Sequence, residues 1–277
     1  MKIALITGAS SGIGKELAKN LAEHKICVIA VARNAESLNK LQRSYPNYII
    51  PLVADLSIKE GRRKVFDYLK PFPKIDYIIN NAAIIIPVGD LDKITPEEIE
   101  QNFQTNIIAP LILISALKNK LLPDSRVLNI TSKPGEGLYN GMVTYCIAKS
   151  ALDKLTDILK YHKILTASVY PGNVDTNMLK VLADQDISKF ARAEEFRKKR
   201  ANNESLPAAL SANFLSYLLL SISDTQFIAE KHNIYDQKHH QYWLGDNKSL
   251  ISKIGFSQKI IDERKEAIPN LKLMSKL

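Results

Sequence analysis

TGASSGIGK, residues 7–15, lies near the start of the chain and has to be assigned to one of two kinds of phosphate site. The loop that binds a nucleoside triphosphate reads G-x-x-x-x-G-K-[ST], which here requires a glycine at position 9 and a hydroxyl at position 16. Those positions hold Ala9 and Glu16, so the kinase or ATPase interpretation is excluded. What remains is a T-G-x-x-x-G-x-G spacing over Gly8, Gly12 and Gly14.

The context of these glycines predicts a diphosphate site. KIALIT, ending at Thr7, is a short apolar run typical of a buried strand. KELAKNLAEH follows Gly14 and places Leu17 and Leu21 on one helical face. Backbone amides between a strand and a helix can point at an anion at the positive end of the helix, although a plain turn is the alternative. The predicted cofactor-binding residues of this loop are Gly8, Ser10, Ser11, Gly12, Ile13 and Gly14.

Apolar runs alternate with helical patterns along the chain. Strands are predicted at 26–32, 47–53, 76–80, 126–132 and 164–170, and helices near 35–43, 58–70, 96–121, 143–163 and 207–222. Such alternation predicts an α/β fold, a doubly wound parallel sheet of Rossmann type. We expect one domain over 1–248, in which 177–205 is a flap or helical pair over the site or an ordinary surface excursion, and a C-terminal helical extension over 249–277.

Composition narrows the classes of partner. The 277 residues carry a net charge of +9, but the excess is scattered, and the densest run, 192–200, mixes both signs like a solvated helix face. Aromatic residues do not alternate with the basic residues, so the sequence does not favour nucleic-acid binding. We expect no membrane partner, because 107–117 is the most apolar stretch and falls short of the roughly 20 residues of a spanning helix. Without a secretory signal, and with only Cys27 and Cys146, the chain is expected to be cytoplasmic.

Several further motifs occur in a fixed order. NNAA spans 80–83, Asn106 and Ser132 follow, YCIAK spans 145–149, and PG stands at 171–172. Together with the glycine loop, this order resembles the short-chain dehydrogenase/reductase family, in its compact T-G-x-x-x-G-x-G branch. The resemblance covers residues 3 to about 176 and weakens afterwards.

The spacing of Tyr145 and Lys149 can be explained chemically. Four residues apart on a helix, the two side chains share one face. A free phenol, with a pKa of about 10, is a poor proton shuttle at neutral pH, and a lysine ammonium within about 4–6 Å is expected to lower that pKa by roughly 1–3 units. Tyr145 is therefore the predicted acid/base of carbonyl reduction. Ser132, at the end of a predicted strand, is expected to donate a hydrogen bond to the substrate oxygen.

The resemblance implies further roles. Lys149 would also bind the nicotinamide ribose, and Asn106 would hold a water in a proton relay, unless it only satisfies a kinked helix near Pro110. Asp55 and Leu56 would lie at the adenine, and Asn81 and Ala82 at the adenosine side. The residues lining the nicotinamide carboxamide would be Pro171, Gly172, Val174 and Thr176.

Arg33 indicates the choice of cofactor. Dinucleotide folds that prefer NAD place an acidic residue about 20 residues past the glycines, where this chain has Ala32 followed by Arg33. A guanidinium suits a 2′-phosphate, so NADP is predicted and NAD is the less favoured cofactor. Glu36 is close enough in sequence to leave NAD as an alternative cofactor, but it is expected to lie in the first turn of the next helix.

The C-terminal third departs from the family. Residues 227–243 replace its glycine-rich last strand, and their histidines lack a metal-ligand spacing, so no metal is predicted. Leu138, Tyr139 and Met142 are candidates to face the substrate, with packing of their own loop as the alternative. We expect an NADP(H)-dependent oxidoreductase that interconverts a small-molecule carbonyl and alcohol, as a homodimer or homotetramer. A non-catalytic redox sensor and a reductase of a sugar or sugar nucleotide are the alternatives.

Overall fold

The computed structural model describes residues 1–133, 141–247 and 251. Its strands are β1 (Ile3–Thr7), β2 (Cys27–Ala32), β3 (Ile49–Val53), β4 (Tyr77–Asn80), β5 (Arg126–Ile130), β6 (Leu165–Tyr170) and β7 (His232–Asn233). Within the described residues they form one parallel sheet in the order β3-β2-β1-β4-β5-β6-β7. The predicted Rossmann-type fold is confirmed, and β7 adds a short strand in the segment where the sequence departs from the family.

Helices fill the connections between strands. They are α1 (Gly12–Glu23), α2 (Ala35–Ser44), α3 (Lys59–Leu69), α4 (Pro96–Phe103), α5 (Ala109–Leu117), α6 (Val143–Tyr161), α7 (Asn177–Ala183), α8 (Ala193–Ala201), α9 (Ala208–Leu220), α10 (Asp224–Ala229) and α11 (His240–Trp243). Across the part of the chain that is described, none of these helices combines the length and the apolar character needed to cross a membrane.

Alternating side chains of the sheet build a core on each face. Ala4 and Ile6 of β1 pack with α1, α2 and α9, whereas Leu5 between them packs with α3, α5 and α6. Because successive strand residues point to opposite faces, the apolar run IALIT supplies both cores at once. The N-terminus of α1 is thereby fixed at the end of β1, where the glycine loop lies.

The helix predicted over 96–121 is divided. A capping box of Thr95 and Glu98 begins α4, the π-helical turn Gln104–Ile108 follows, and α5 continues from Ala109. Pro110 has no N–H for an ordinary helical hydrogen bond, which favours a local change of pitch just before it. The π turn carries Asn106 and aims it away from solvent, since this residue is 1% exposed.

Residues 177–205 contain two helices, α7 and α8, which agrees with the helical-pair alternative. Their common base is tied by backbone hydrogen bonds: the Leu206 N–H donates to Asn173 over 2.7 Å, and the Asp175 N–H donates to Leu206 over 2.9 Å. A parallel bridge joins Val174 to Leu206. The domain limit at 248 stays a prediction, and the extension predicted over 249–277 lies outside the described residues except for Ile251.

Candidate active site

A cleft of about 690 Å³ opens at the carboxyl ends of the strands. Strand order reverses between β1 and β4, and in such sheets ligands bind at that switch point. The cleft is lined by all of the predicted site residues except Gly14 and Asn106. They are Gly8, Ser10, Ser11, Gly12, Ile13, Arg33, Asp55, Leu56, Asn81, Ala82, Ser132, Tyr145, Lys149, Pro171, Gly172, Val174 and Thr176.

The glycine loop leaves no space for side chains at its key positions. Gly8 and Gly12 have φ of +68° and +54°, a backbone conformation that other residues rarely adopt. A Cβ on Gly14 would stand 2.5 Å from the carbonyl oxygen of Gly8 and from Nδ2 of Asn81. Gly14 therefore lets α1 pack against the loop and does not reach the cleft. Gly8 and Gly12 form a cradle that fits a diphosphate at the helix N-terminus.

Thr7 holds this loop to the neighbouring strand end. Its buried Oγ1 accepts hydrogen bonds from the N–H groups of Asn81 and Ala82, each over 3.0 Å. The Asn81 side chain donates back to the carbonyl oxygens of Thr7 and Gly8 over 2.9 and 3.2 Å. The sequence analysis did not single out Thr7, although its hydroxyl at the end of an apolar strand was a usable signal.

The other end of the cleft presents charge. Arg33 lies 3.9 Å from Asp55, and its side chain is 66% exposed, so the guanidinium can reach a ligand. Burial acts to raise the pKa of Asp55, but hydrogen bonds from Ser57 and the Arg33 charge outweigh it, so the net pKa is lowered. Glu36 lies in the first turn of α2, as predicted. Asn34, which caps that helix by accepting from the N–H of Ser37, also lines the cleft.

Tyr145 and Lys149 project from α6 into the cleft next to Ser132, which follows β5. The Tyr145 phenol and the Ser132 hydroxyl share a hydrogen bond. The Lys149 ammonium lies 5.6 Å from the centre of the Tyr145 ring and donates to the carbonyl oxygen of Ile130 over 2.8 Å. All three predicted side chains thus meet at one point.

The pKa of Tyr145 differs in direction from the expectation. Burial raises it to about 12, and the hydrogen bond with Ser132 only partly opposes that rise. Burial also lowers the pKa of Lys149 to about 8, with Asp153 raising it and Lys231 lowering it. A phenol that is 6% exposed loses the hydration that an anion needs, and this cost exceeds the help from the Ser132 hydrogen bond, while Cys146 adds to the rise of the pKa. Both groups carry their protons at neutral pH.

Asn106 lies behind the cleft, and its side chain is fully engaged. Its Oδ1 accepts from the Ile84 N–H over 2.9 Å, while its Nδ2 donates to the Ile84 carbonyl oxygen and to Oδ1 of Asn102, both over 2.8 Å. The amide therefore fixes the chain that leaves β4, where Ile84 lines the cleft. This agrees with the alternative in which Asn106 satisfies an irregular helix, and the water relay stays a prediction.

The departing segment 227–243 supports the loop after β6. The Asn173 N–H donates to the Tyr235 hydroxyl over 3.2 Å. Gly172, with φ of +89°, has that hydroxyl and a Leu206 methyl within 3.1 Å of where a Cβ would stand. Gly172 and Asn173 of this loop thus contact Tyr235 of the segment 227–243.

The substrate end of the cleft is mainly apolar. One hydrophobic cluster joins Tyr145 and Met142 to Leu179 and Leu182 of α7 and to Phe196 of α8. Met142 was predicted to face the substrate and lines the cleft, whereas Leu138 and Tyr139 lie outside the described residues.

Comparison with known proteins assigns the family. A family model described as short chain dehydrogenase matches residues 2–187. The chain belongs to the short-chain dehydrogenase/reductase family. It is 27% identical to a benzil reductase of Bacillus cereus over 234 residues, 79% of this chain and 94% of the relative. It is 32% identical to an L-xylulose reductase of Caenorhabditis elegans over 216 residues, 70% of this chain and 84% of the relative.

A solved short-chain dehydrogenase/reductase from Saccharomyces cerevisiae shares the fold, with a TM-score of 0.80 and 23% identity over 88% of this chain and 100% of that one. As a member of this family, the protein is an NAD(P)-dependent oxidoreductase. The family model matches as far as residue 187, whereas the match to the Saccharomyces cerevisiae structure covers 88% of this chain, so the shared fold continues past the end of the family model.

The histidines of this short-chain dehydrogenase have structural partners. His232, His239 and His240 each bond a backbone carbonyl oxygen through Nε2, over 2.8–2.9 Å. Nδ1 of His239 accepts from the Trp243 indole N–H over 2.9 Å. In the described ranges, no group of three or more His, Cys, Asp or Glu side chains is arranged to hold a metal ion.

Proposed function

We propose that the protein is an NADP(H)-dependent reductase that interconverts a carbonyl and an alcohol, with Tyr145 as the acid/base. The observation that carries this proposal is the meeting of the Tyr145 phenol, the Ser132 hydroxyl and the Lys149 ammonium in the cleft that the glycine loop also lines. A binding protein without turnover has no need of that trio.

The residues of the cleft fit a dinucleotide. Its diphosphate would lie on the glycine loop, its 2′-phosphate at Arg33, and its adenosine against Asp55, Leu56, Asn81 and Ala82. Lys149 would bind the nicotinamide ribose, and the carboxamide would lie against the loop from Pro171 to Thr176. When bound, the reduced nicotinamide supplies the hydride that the reaction needs.

The proton is handled by the protein. Because its pKa is raised to about 12, Tyr145 is protonated at neutral pH and can donate to a carbonyl oxygen during reduction. Ser132 would donate a second hydrogen bond to that oxygen as negative charge develops there. The Lys149 ammonium would then stabilise the tyrosinate, and Asn106 would keep Ile84 in position beside the substrate.

Turnover tests the assignment directly. Tyr145→Phe removes only the phenolic oxygen, so we expect kcat for NADPH-dependent reduction to fall by about a hundredfold or more, while NADPH binding changes little. Tyr161→Phe is the matched control, because Tyr161 lies on the same helix and is 85% exposed. Undiminished turnover by Tyr145→Phe would refute the role of Tyr145.

A panel of substrates separates the remaining alternatives. The two relatives reduce, by their names, a diketone and a ketose, so benzil, L-xylulose and simple aromatic ketones form a suitable panel. Tight NADPH binding without oxidation of NADPH by any of them would favour the redox sensor. Reduction of the sugar alone would favour the sugar reductase.

Assembly and location complete the proposal. We expect a homodimer or homotetramer, since exposed apolar side chains lie on α5 and α6: Leu111, Ile112, Ile147 and Ile158. Two cysteines in 277 residues fit a reducing cytoplasm.

A further inference from the structure

Helix α8 turns one charged face into the cleft. Arg192, Phe196 and Lys199 follow one another at helical spacing, and all three line the cleft. The run 192–200 was expected to be a solvated helix face, so this is a difference between sequence and structure. The reason is the apolar Phe196, which packs into the cluster around Tyr145. Because Arg192 and Lys199 lie on the same helix face as Phe196, they are directed towards the cleft with it.

Lys199 is buried to an unusual degree for a lysine. Its side chain is 8% exposed, whereas the side chain of Lys198 beside it is 72% exposed and lies 4.0 Å from Glu194. Desolvation of an ammonium is costly and needs a compensating partner. The carboxylate of Glu195 supplies one, 2.9 Å from the Lys199 nitrogen.

Glu195 holds both cations from outside the cleft. It accepts from Nε and from a terminal nitrogen of Arg192 over 2.9 and 3.2 Å, in addition to its ion pair with Lys199, and it does not itself line the cleft. The charges of Arg192 and Lys199 also each lie 5.3 Å from the centre of the Phe196 ring. The two basic groups are therefore fixed in orientation before any ligand arrives, which reduces the entropic cost of binding.

We propose that the substrate carries a carboxylate, which Lys199 and Arg192 bind while its carbonyl lies at Tyr145. This inference rests on the proposed function and names its substrate class. The charges of Arg192, Lys199 and Glu195 sum to +1, which matches a carboxylate better than a dianionic phosphate. The apolar walls between these cations and Tyr145 fit a hydrocarbon or aromatic part that joins the carboxylate to the reacting carbonyl.

Matched acids and esters test the proposal within one protein. The substrates are benzoylformate and 3-benzoylpropionate, which place the carboxylate at two distances from the ketone, and their methyl esters. We expect the wild-type kcat/KM to favour at least one acid over its ester. In Lys199→Met that kcat/KM should fall roughly ten- to a hundredfold for the acid, as a charged hydrogen bond is lost, and less than twofold for the ester.

Two further variants serve as controls. Lys199→Arg should keep the preference for the acid, and Lys198→Met should leave kcat/KM unchanged for both acid and ester. A fall that is equal for acid and ester in Lys199→Met, or a wild-type preference for both esters, would overturn the proposal. The ratio of acid to ester is unaffected by partial unfolding, because both substrates report on the same folded fraction.

Binding of unreactive probes separates this inference from the proposed function. If no carbonyl compound is reduced, phenylacetate and the neutral phenylacetamide are titrated by calorimetry in the presence of NADP⁺. Tighter binding of phenylacetate that is lost in Lys199→Met would support the carboxylate site without any turnover. Equal binding of the two probes, or equal phenylacetate affinity of wild type and Lys199→Met, would refute it.

Discussion

Arg33 is the one side chain that we propose for the cofactor 2′-phosphate, so its removal is expected to give a selective result. Arg33→Ala should weaken NADPH binding roughly ten- to a hundredfold by removing a charged hydrogen bond, and NADH binding by less than about threefold. Dissociation constants from fluorescence titration measure both. Arg43→Ala, at an exposed position in the last turn of α2, is the control. Equal losses for the two cofactors would argue against a 2′-phosphate site.

For individual residues, the sequence predicted which side chains meet in the cleft, but it did not predict the direction in which the pKa of Tyr145 is shifted. Tyr145, Lys149 and Ser132 could be found because residue type and helical spacing carry the signal. The raised pKa of Tyr145 depends on burial by α7 and α8, which are distant in sequence, and no spacing rule reports that. Lys199 was missed for the same reason, since its surroundings and not its neighbours in sequence make it buried.

Thr7 joins two elements, β1 and the chain after β4, through one hydroxyl. Thr7→Val keeps the shape of the side chain but removes the Thr7 acceptor from the Ala82 N–H and leaves the Asn81 N–H only its bond to the Ile79 carbonyl oxygen. We expect the free energy of unfolding to fall by about 1–3 kcal/mol, measured by urea denaturation. Thr166→Val is the control: that buried hydroxyl only donates to a carbonyl oxygen, that of Ile164, so the loss should be smaller. Equal losses would contradict the linking role of Thr7.

The segment from β7 to α11 should be sensitive to acid through His239. Burial lowers the pKa of His239 from 6.5 to about 4, and its Nδ1 must stay unprotonated to accept from Trp243. The folded state therefore binds fewer protons than the unfolded state below pH 6.5. Stability from this group is complete above that pH and is lost as the pH falls towards 4.

Denaturation at two pH values measures this effect. Between pH 7 and pH 5, wild type should lose about 1–2 kcal/mol more of its free energy of unfolding than His239→Gln, in which position 239 cannot titrate. The comparison cancels the other groups that titrate in this range. An identical pH dependence in the two proteins would show that folding does not lower the pKa of His239.

Helix and strand limits were predicted well where the pattern was long and poorly where tertiary contacts decide. The apolar run after residue 106 indicated one helix to 121, but the bonds between Asn106 and Ile84 accompany a π turn within it. The two-residue strand β7 has no apolar periodicity of its own, and it forms because β6 offers a free edge beside it.

At the scale of the whole molecule, the alternation of strands and helices was sufficient to predict the sheet and the edge of the sheet at which the cleft opens. Assembly remains a prediction. Ile147, on α6, is 52% exposed, and Leu111 and Ile112 on α5 are 45% and 40% exposed. Ile147→Glu places a charge on this face, so we expect the mass measured by light scattering to fall from a dimer or tetramer towards a monomer.

An exposed position elsewhere provides the comparison. Asn39→Glu adds the same charge on α2, outside this apolar face, and should leave the mass unchanged. A wild-type protein that elutes as a monomer at micromolar concentration would refute the predicted assembly.

The backbone ties between Asn173, Asp175 and Leu206 close the base of residues 177–205, so these residues leave the sheet and return to it at one stem. Changes of length between α7 and α8 can then be absorbed without shifting the register of any strand. A replacement cassette from a related enzyme could be joined at this stem, and it would bring its own substrate preference while the parent keeps its cofactor. Evolution could have changed the substrate range of this enzyme in the same way, by replacing this one segment of the chain.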